Sequence, residues 1–241
     1  MSPRGSPGVR AMFARIAPRY DLLNHLLSFN RDRYWRACTV DRLRPILQAP
    51  GSRVLDLCCG TGDLLLALEG ERGGPVAGTD FCHPMLVLAQ GKLAQKHFRS
   101  ALFESDALAL PLPDGCLDLI TMAFGIRNLS SYRQGLAEAL RVLRPSGTAA
   151  ILEFSQPPKG VVAALYGFYS RRILPAVGSL LSGDRAAYHY LPDSVSRFPS
   201  PEQVAEQMRQ SGFVQVDYER LSGGIVALHT GRAPGRSPAA G

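Results

Sequence analysis

Two carboxylates on either side of a glycine-cornered turn, in VLDLCCGTGD from Val54 to Asp63, make a site suited to a nucleoside-bearing cofactor. Val54, Leu55 and Leu57 supply an apolar run of strand length that carries Asp56 near its end. Gly60 and Gly62 let the backbone turn tightly and approach a ligand where a Cβ would collide, and Asp63 opens a helical pattern. A second strand, PVAGTD, ends on Asp80, whose carboxylate can accept from both hydroxyls of a ribose. A dinucleotide fingerprint needs a third glycine three residues after the second, and Leu65 fills that slot. A nicotinamide-dependent oxidoreductase is therefore disfavoured.

Such residues need strands that end together at one edge of a sheet. Strands near 53–58, 75–79 and 101–104, then LDLITMAF (Leu117 to Phe124) and TAAILEF (Thr148 to Phe154), alternate with helices near 83–96 and from Ser131 to Leu143. A last helix takes Ser200 as N-cap and Pro201 in its first turn and stops at Gly212. Strands near 214–220 and 224–230 follow, joined by Ser222, Gly223 and Gly224, a link short enough for an antiparallel hairpin. The expected fold is α/β and Rossmann-like: seven strands, mostly parallel, with a closing antiparallel hairpin. This order, with Asp56, the GxG turn and Asp80, resembles the class I methyltransferases that use S-adenosyl-L-methionine (SAM). The resemblance implies that Asp56, Gly60 and Gly62 sit by the methionine end of SAM and Asp80 by the ribose.

A chain of 241 residues, 46% of them hydrophobic, suffices for one large α/β domain. Residues 1–9 and 232–241, rich in Pro, Gly, Ser and Arg, read as disordered tails, which leaves a single domain over 10–231. Helical periodicity over 10–47 precedes the first strand and is placed to form a lid. Five cysteines with no CxxC pair argue against a disulfide framework and against zinc, so no metal is expected. No apolar leader opens the chain, which makes the cytoplasm the expected location. Residues 1–53 hold ten of the 27 basic residues against three of the 20 acidic ones. Without an RNA-binding motif beside them, these arginines point to an anionic membrane surface, an acidic substrate or a solvated helical face rather than to nucleic acid.

Between Pro157 and Pro199 lies an insertion whose apolar stretch VVAALYGFYSRRILPAVGSLLSG approaches the length of a membrane span. Arg171 and Arg172 at its centre would cost roughly 5 to 7 kcal/mol, and Pro175 breaks it. Residues 157–199 are instead expected to form two amphipathic helices that cap the site with an apolar wall.

Longer segments are specific to one family. MFARIAPRYDLLNHLLSFNRDRYWR, VLDLCCGTGDL, SDALALPLPDGCLDLITMAFGIRNL, LEFSQP, YHYLPDSVSRFP and GGIVALHTG together resemble the ubiquinone and menaquinone biosynthesis C-methyltransferases, from about Met12 to Gly231. The resemblance implies SAM-dependent methylation of demethylmenaquinol to menaquinol; the alternatives are a polyprenyl-benzoquinol of ubiquinone biosynthesis or another small aromatic acceptor. It implies SAM contacts at Thr61, at Asp80, and at Asp106 with Ala107; where some relatives place a contacting serine, this chain has Ala123. It also sets Arg127 and Asn128, from FGIRN, beside the acceptor.

A ring carbon attacks a sulfonium methyl only as the adjacent hydroxyl loses its proton, so the site must align the two partners, exclude water and stabilise a phenolate. Arg127 is too basic to take that proton, its pKa lying above ~12, and is assigned to anchoring the oxyanion or polarising a water. Asn128 would orient the quinol oxygen. Asp21 and His189 are candidate proton acceptors, the plainer alternative being that they tie the lid to the body. A polyprenyl quinol implies transient peripheral association with the inner face of a membrane, each nearby Arg adding about 1 kcal/mol. A homodimer is compatible with this reading.

Overall fold

The structure is a computed structural model and describes residues 7–173 and 185–235. Seven strands form one sheet: β1 (Val54–Leu57), β2 (Ala77–Asp80), β3 (Ala101–Glu104), β4 (Leu117–Ala123), β5 (Leu143–Phe154), β6 (Val214–Leu221) and β7 (Val226–Arg232). Their order is β3-β2-β1-β4-β5-β7-β6. The first five run parallel, and β7 pairs antiparallel with both β5 and β6. The direction of winding reverses between β1 and β4, where ligands settle in open α/β sheets.

Alternation along the strands decides what packs where. Leu55, Leu57, Ile120 and Ile151 face α6 (Tyr132–Val142) and α9 (Pro201–Gln210), meeting Leu136, Val204 and Met208. Val54, Leu119 and Leu152 face the other way, toward Leu65 and Leu68 of α4 (Asp63–Arg72) and Leu93 of α5 (His83–Gln95). The whole of β1 is buried, as parallel strands covered on both faces must be. Helix starts follow local chemistry: Ser131 accepts from Gln134 N at 3.2 Å, and Ser200 with Gln203 forms a capping box.

The N-terminal segment forms α1 (Pro7–Ile16), α2 (Tyr20–Leu27) and α3 (Arg31–Leu47). The expected lid over 10–47 is anchored at its C-terminal end: Trp35, Leu43 and Leu47 of α3 are buried in the core with Val54 and Leu119, while Arg31 and Arg36 at the start of α3 line a cavity together with α1 and α2. Order also reaches past the expected tails: Val9 is buried, and Ala233 N donates to Gly147 O at 2.8 Å. Strand β5 starts at Leu143, five residues before the expected Thr148, because Leu143 pairs with Leu117. Gly147 permits the passage; a Cβ there would lie 3.1 Å from Leu117 O.

The insertion contributes α7 (Val161–Phe168), a π-helical turn over Tyr169–Ile173 and α8 (Arg185–Ser196). Tyr169 and Tyr190 pack against Met12, Ile16 and Leu23 of the lid. Among the described residues no helix is long and apolar enough to cross a membrane.

Candidate active site

The turn after β1 is held by Cys59 N donating to Thr79 O and Gly62 N to Cys59 O, both at 2.9 Å. Its two glycines do different work. Gly62, at φ +84°, packs so closely that a Cβ would stand 3.1 Å from Ala89 Cβ. Gly60, at φ +54°, borders a cavity of about 590 Å³, and a Cβ there would meet nothing within 4 Å. Leu65 fits without the third fingerprint glycine because β2 supplies one: a Cβ on Gly78 would lie 3.0 Å from Leu65 Cδ2.

Asp80, Asp106, Ala107, Ala123 and Asn128 border the same cavity. Asp80 Oδ2 accepts from Gly60 N and Oδ1 from Cys82 N, both at 2.9 Å. Each oxygen keeps a lone pair for a ribose hydroxyl. Burial pushes the Asp80 carboxyl up, against the pull of these backbone donors. Asp106 Oδ1 accepts from Leu108 N at 2.9 Å, and its second oxygen is left to take a bond from an adenine amino group. The open space over Gly60, with acceptors on either side of it, fits an adenosyl group.

Three expected cofactor contacts do not border that cavity. Asp56 is sealed under the turn: Thr121 Oγ1 donates to its Oδ1 at 2.7 Å, Oδ2 has no hydrogen-bond partner, and burial pushes its carboxyl up to about 7. The β1–β4 register, which sets Asp56 opposite Thr121, explains the placement. Gly62 is a packing residue. Thr61 is buried, and its hydroxyl donates to Asp21 Oδ1 at 2.5 Å.

A second, larger cavity of about 980 Å³ adjoins the first, and Phe13, Tyr20 and Phe124 border both. Arg127 lines the larger one. Its Nη1 donates to Phe124 O at 2.6 Å and to Glu153 Oε1 at 2.8 Å, and its guanidinium carbon lies 5.4 Å from the Phe154 ring centre. Burial opposes the guanidinium charge, yet Glu153 holds Arg127 above its ordinary pKa. Asn128 Nδ2 donates to Phe124 O at 3.3 Å while its Oδ1 accepts from Tyr190 Oη at 2.9 Å. Tyr166 also lines this cavity, its phenol pushed up to about 12 by burial. In the sequence Glu153 is marked only as a lone carboxylate in the apolar run AAILEF.

Asp21 borders neither cavity. It joins α2 to the turn and to α5: besides the Thr61 bond, Lys92 Nζ lies 2.5 Å from Asp21 Oδ2 and 2.6 Å from Asp63 Oδ1. This geometry favours the tie between lid and body over proton acceptance. Across the site, Arg10 of α1 pairs with Glu104 at the end of β3. The side chain of His189 lies outside the described residues. Among the described residues His25, Asp32 and Asp63 bring possible metal ligands within 4.8 Å of one another. Arg36 already compensates that charge, at 2.5 Å from Asp32 and 3.4 Å from Asp63.

The sheet order, the glycine turn and the acidic residues around it define a SAM-dependent methyltransferase. Solved structures share the fold: a SAM-dependent methyltransferase from Aquifex aeolicus has a TM-score of 0.56 at 22% identity, covering 76% of this chain and 82% of its own. The [4+2]-cyclase SpnF reaches 0.60 at 19%, covering 81% of each. The chain belongs to the ubiE/COQ5 methyltransferase family, whose model matches residues 2–233. It is 48% identical over 224 residues to a demethylmenaquinone methyltransferase of Thermus thermophilus, spanning 92% of this chain and all of that protein. It is 44% identical over 229 residues to a ubiquinone/menaquinone biosynthesis C-methyltransferase UbiE of Syntrophotalea carbinolica, spanning 95% of each.

Proposed function

We propose that the chain methylates a ring carbon of a polyprenyl quinol, demethylmenaquinol, to give menaquinol. The observation that carries this reading is the junction of two cavities at Phe13, Tyr20 and Phe124, one bordered by Gly60 and Asp80, the other by aromatic side chains and Arg127. The name of the Thermus relative supports the acceptor. When bound, SAM supplies an electrophilic methyl on its sulfonium. Gly60, Asp80, Asp106 and Ala107 hold it, with Ala123 adding apolar contact only.

The residues about the junction do the rest. Arg127 sets a fixed positive charge beside the acceptor oxygen, which acidifies the quinol hydroxyl and then holds the phenolate. Being too basic to take the proton itself, it leaves the proton to a water at the site and lowers the cost of that transfer by stabilising the phenolate left behind. Asn128, steadied by Tyr190, orients the same oxygen. Helices α1 and α2 close over both cavities and keep bulk water from the reacting atoms.

Purified protein given each quinol in turn, with product analysis, tests the acceptor. Faster methylation of demethylmenaquinol is expected. Turnover of 2-polyprenyl-6-methoxy-1,4-benzoquinol alone would replace this reading with the ubiquinone branch, which the double name of the Syntrophotalea relative keeps in view. The basic N-terminal segment and the membrane-resident acceptor together support peripheral, salt-sensitive membrane association. Equal flotation with neutral and anionic liposomes at low salt would count against it.

A further inference from the structure

We infer that the outer faces of α2 and α7 form one docking surface for an anionic lipid bilayer, placed around the mouth of the larger cavity. The inference rests on the quinol reading and adds where and how the membrane is met. Large apolar side chains stand in solvent at matching spacing on the two elements: Leu22, Leu26 and Phe29 along α2 and just beyond it, and Val161, Leu165 and Phe168 along α7. Both sets fall at i, i+4 and i+7, one stripe on each helix. Leu22 is 68% exposed, Phe29 74%, Val161 75% and Leu165 66%, whereas Leu23 on the inner side of α2 is 1% exposed.

The two stripes are joined. The rings of Phe29 and Tyr169 lie 5.6 Å apart between centres, and Tyr169 Oη donates to Leu27 O at 2.6 Å. Leu27, Phe29, Leu165 and Tyr169 also line the larger cavity, so its wall continues into the patch. A prenyl tail leaving the cavity there would pass from apolar wall to acyl chain without crossing water.

Charge selects the partner. Exposed Arg31 and Arg33 follow the first stripe, and exposed Lys159 and Arg172 flank the second. No acidic residue occurs between 157 and 173. Asp21 and Asp32, the carboxylates nearest the first stripe, are engaged by Lys92 and Arg36. Apolar residues ringed by cations match an anionic interface. A second copy docking through the same patch would set these cations against their own kind.

The test uses the full chain with Leu22→Ser, Leu26→Ser, Val161→Ser and Phe168→Ser combined, none of which lines a cavity. Binding to phosphatidylcholine vesicles containing phosphatidylglycerol should weaken at least about tenfold. Turnover of a short-chain, water-soluble quinol should not change, while turnover of a long-tailed quinol embedded in vesicles should fall with binding. A second variant, Arg33→Glu with Lys159→Glu, should lose binding to the anionic vesicles and retain the parent's weak binding to neutral ones. Parent-like vesicle binding by the serine variant would overturn the proposal. So would a parent dimer that the serine variant dissolves, which would assign the patch to a second copy. Failure of the quinol reading is told apart, because it abolishes turnover of every quinol and leaves the vesicle measurements intact.

Discussion

Removing the Arg127 guanidinium would strand the Glu153 carboxylate in an interior where it is 1% exposed. Arg127→Ala should therefore lower stability by about 3 to 5 kcal/mol as well as cut turnover about 10²-fold or more. Arg127→Ala combined with Glu153→Gln separates the two effects: denaturant unfolding should recover most of the stability, quinol turnover should stay lost, and SAM affinity measured by calorimetry should match the parent throughout. Asp56 gives a second prediction. Its carboxyl is raised to about 7 in the fold, so the folded state keeps a proton that the unfolded chain loses near pH 4. Stability then falls as pH rises from about 4 to about 7, with a slope of up to about 1.4 kcal/mol per pH unit from this group, and levels off above. Asp56→Asn removes that contribution, and unfolding curves across this window should show its slope shallower than the parent's by that amount. The resemblance singles out Arg127 and Asn128 through FGIRN, and the structure sets Arg127 on the larger cavity and Asn128 on the smaller. Glu153 was not legible in this way, because its partnership with a residue 26 positions earlier depends on β5 lying beside β4.

At the scale of elements, the turn after β1 and the loop after β4 are fitted to each other. A Cβ on Gly125 would lie 2.6 Å from Cys58 Cβ, and Cys58 itself adopts φ +57°, a conformation that favours glycine. Gly125→Ala should cost about 1 to 3 kcal/mol and weaken SAM binding, since the turn must shift to admit the methyl. Adding Cys58→Gly should restore both, a recovery measurable by thermal melts and calorimetry. The turn VLDLCCGTGD and the segment FGIRN stand apart in the sequence; the contact between Cys58 and Gly125 emerges only when β1 and β4 pair. Strands β1 and β4 were legible because burial along their length makes them short, mainly apolar runs. The extent of the lid was not, since helical periodicity over 10–47 cannot tell a helix packed on the core, as α3 is through Trp35 and Leu43, from one that only covers a site. The tie between α2 and the body predicts its own loosening. Lys92→Met should raise hydrogen exchange across residues 7–27 and weaken SAM binding a few-fold, a modest effect because Lys92 and Asp21 are partly exposed.

Across the whole molecule, the sheet is a shared platform and the specific chemistry comes from what surrounds it. The order β3-β2-β1-β4-β5-β7-β6 reverses between β1 and β4, and the smaller cavity is bordered by residues at the ends of both strands, Leu57 and Ala123. The larger cavity is walled by α1, α2, the start of α3, α7, α8, the end of β5 and the loop after β4. Helix α2 joins both worlds within eight residues: Asp21 reaches inward to Thr61 and Lys92, while Leu22 and Leu26 face outward. One short helix thus links the glycine turn to the proposed docking surface, and thermodynamic reciprocity constrains any coupling between the two. Whatever factor the donor adds to the enzyme's affinity for vesicles, vesicles must add to its affinity for the donor. If that factor exceeds one, the enzyme holds its donor most tightly where its acceptor is stored.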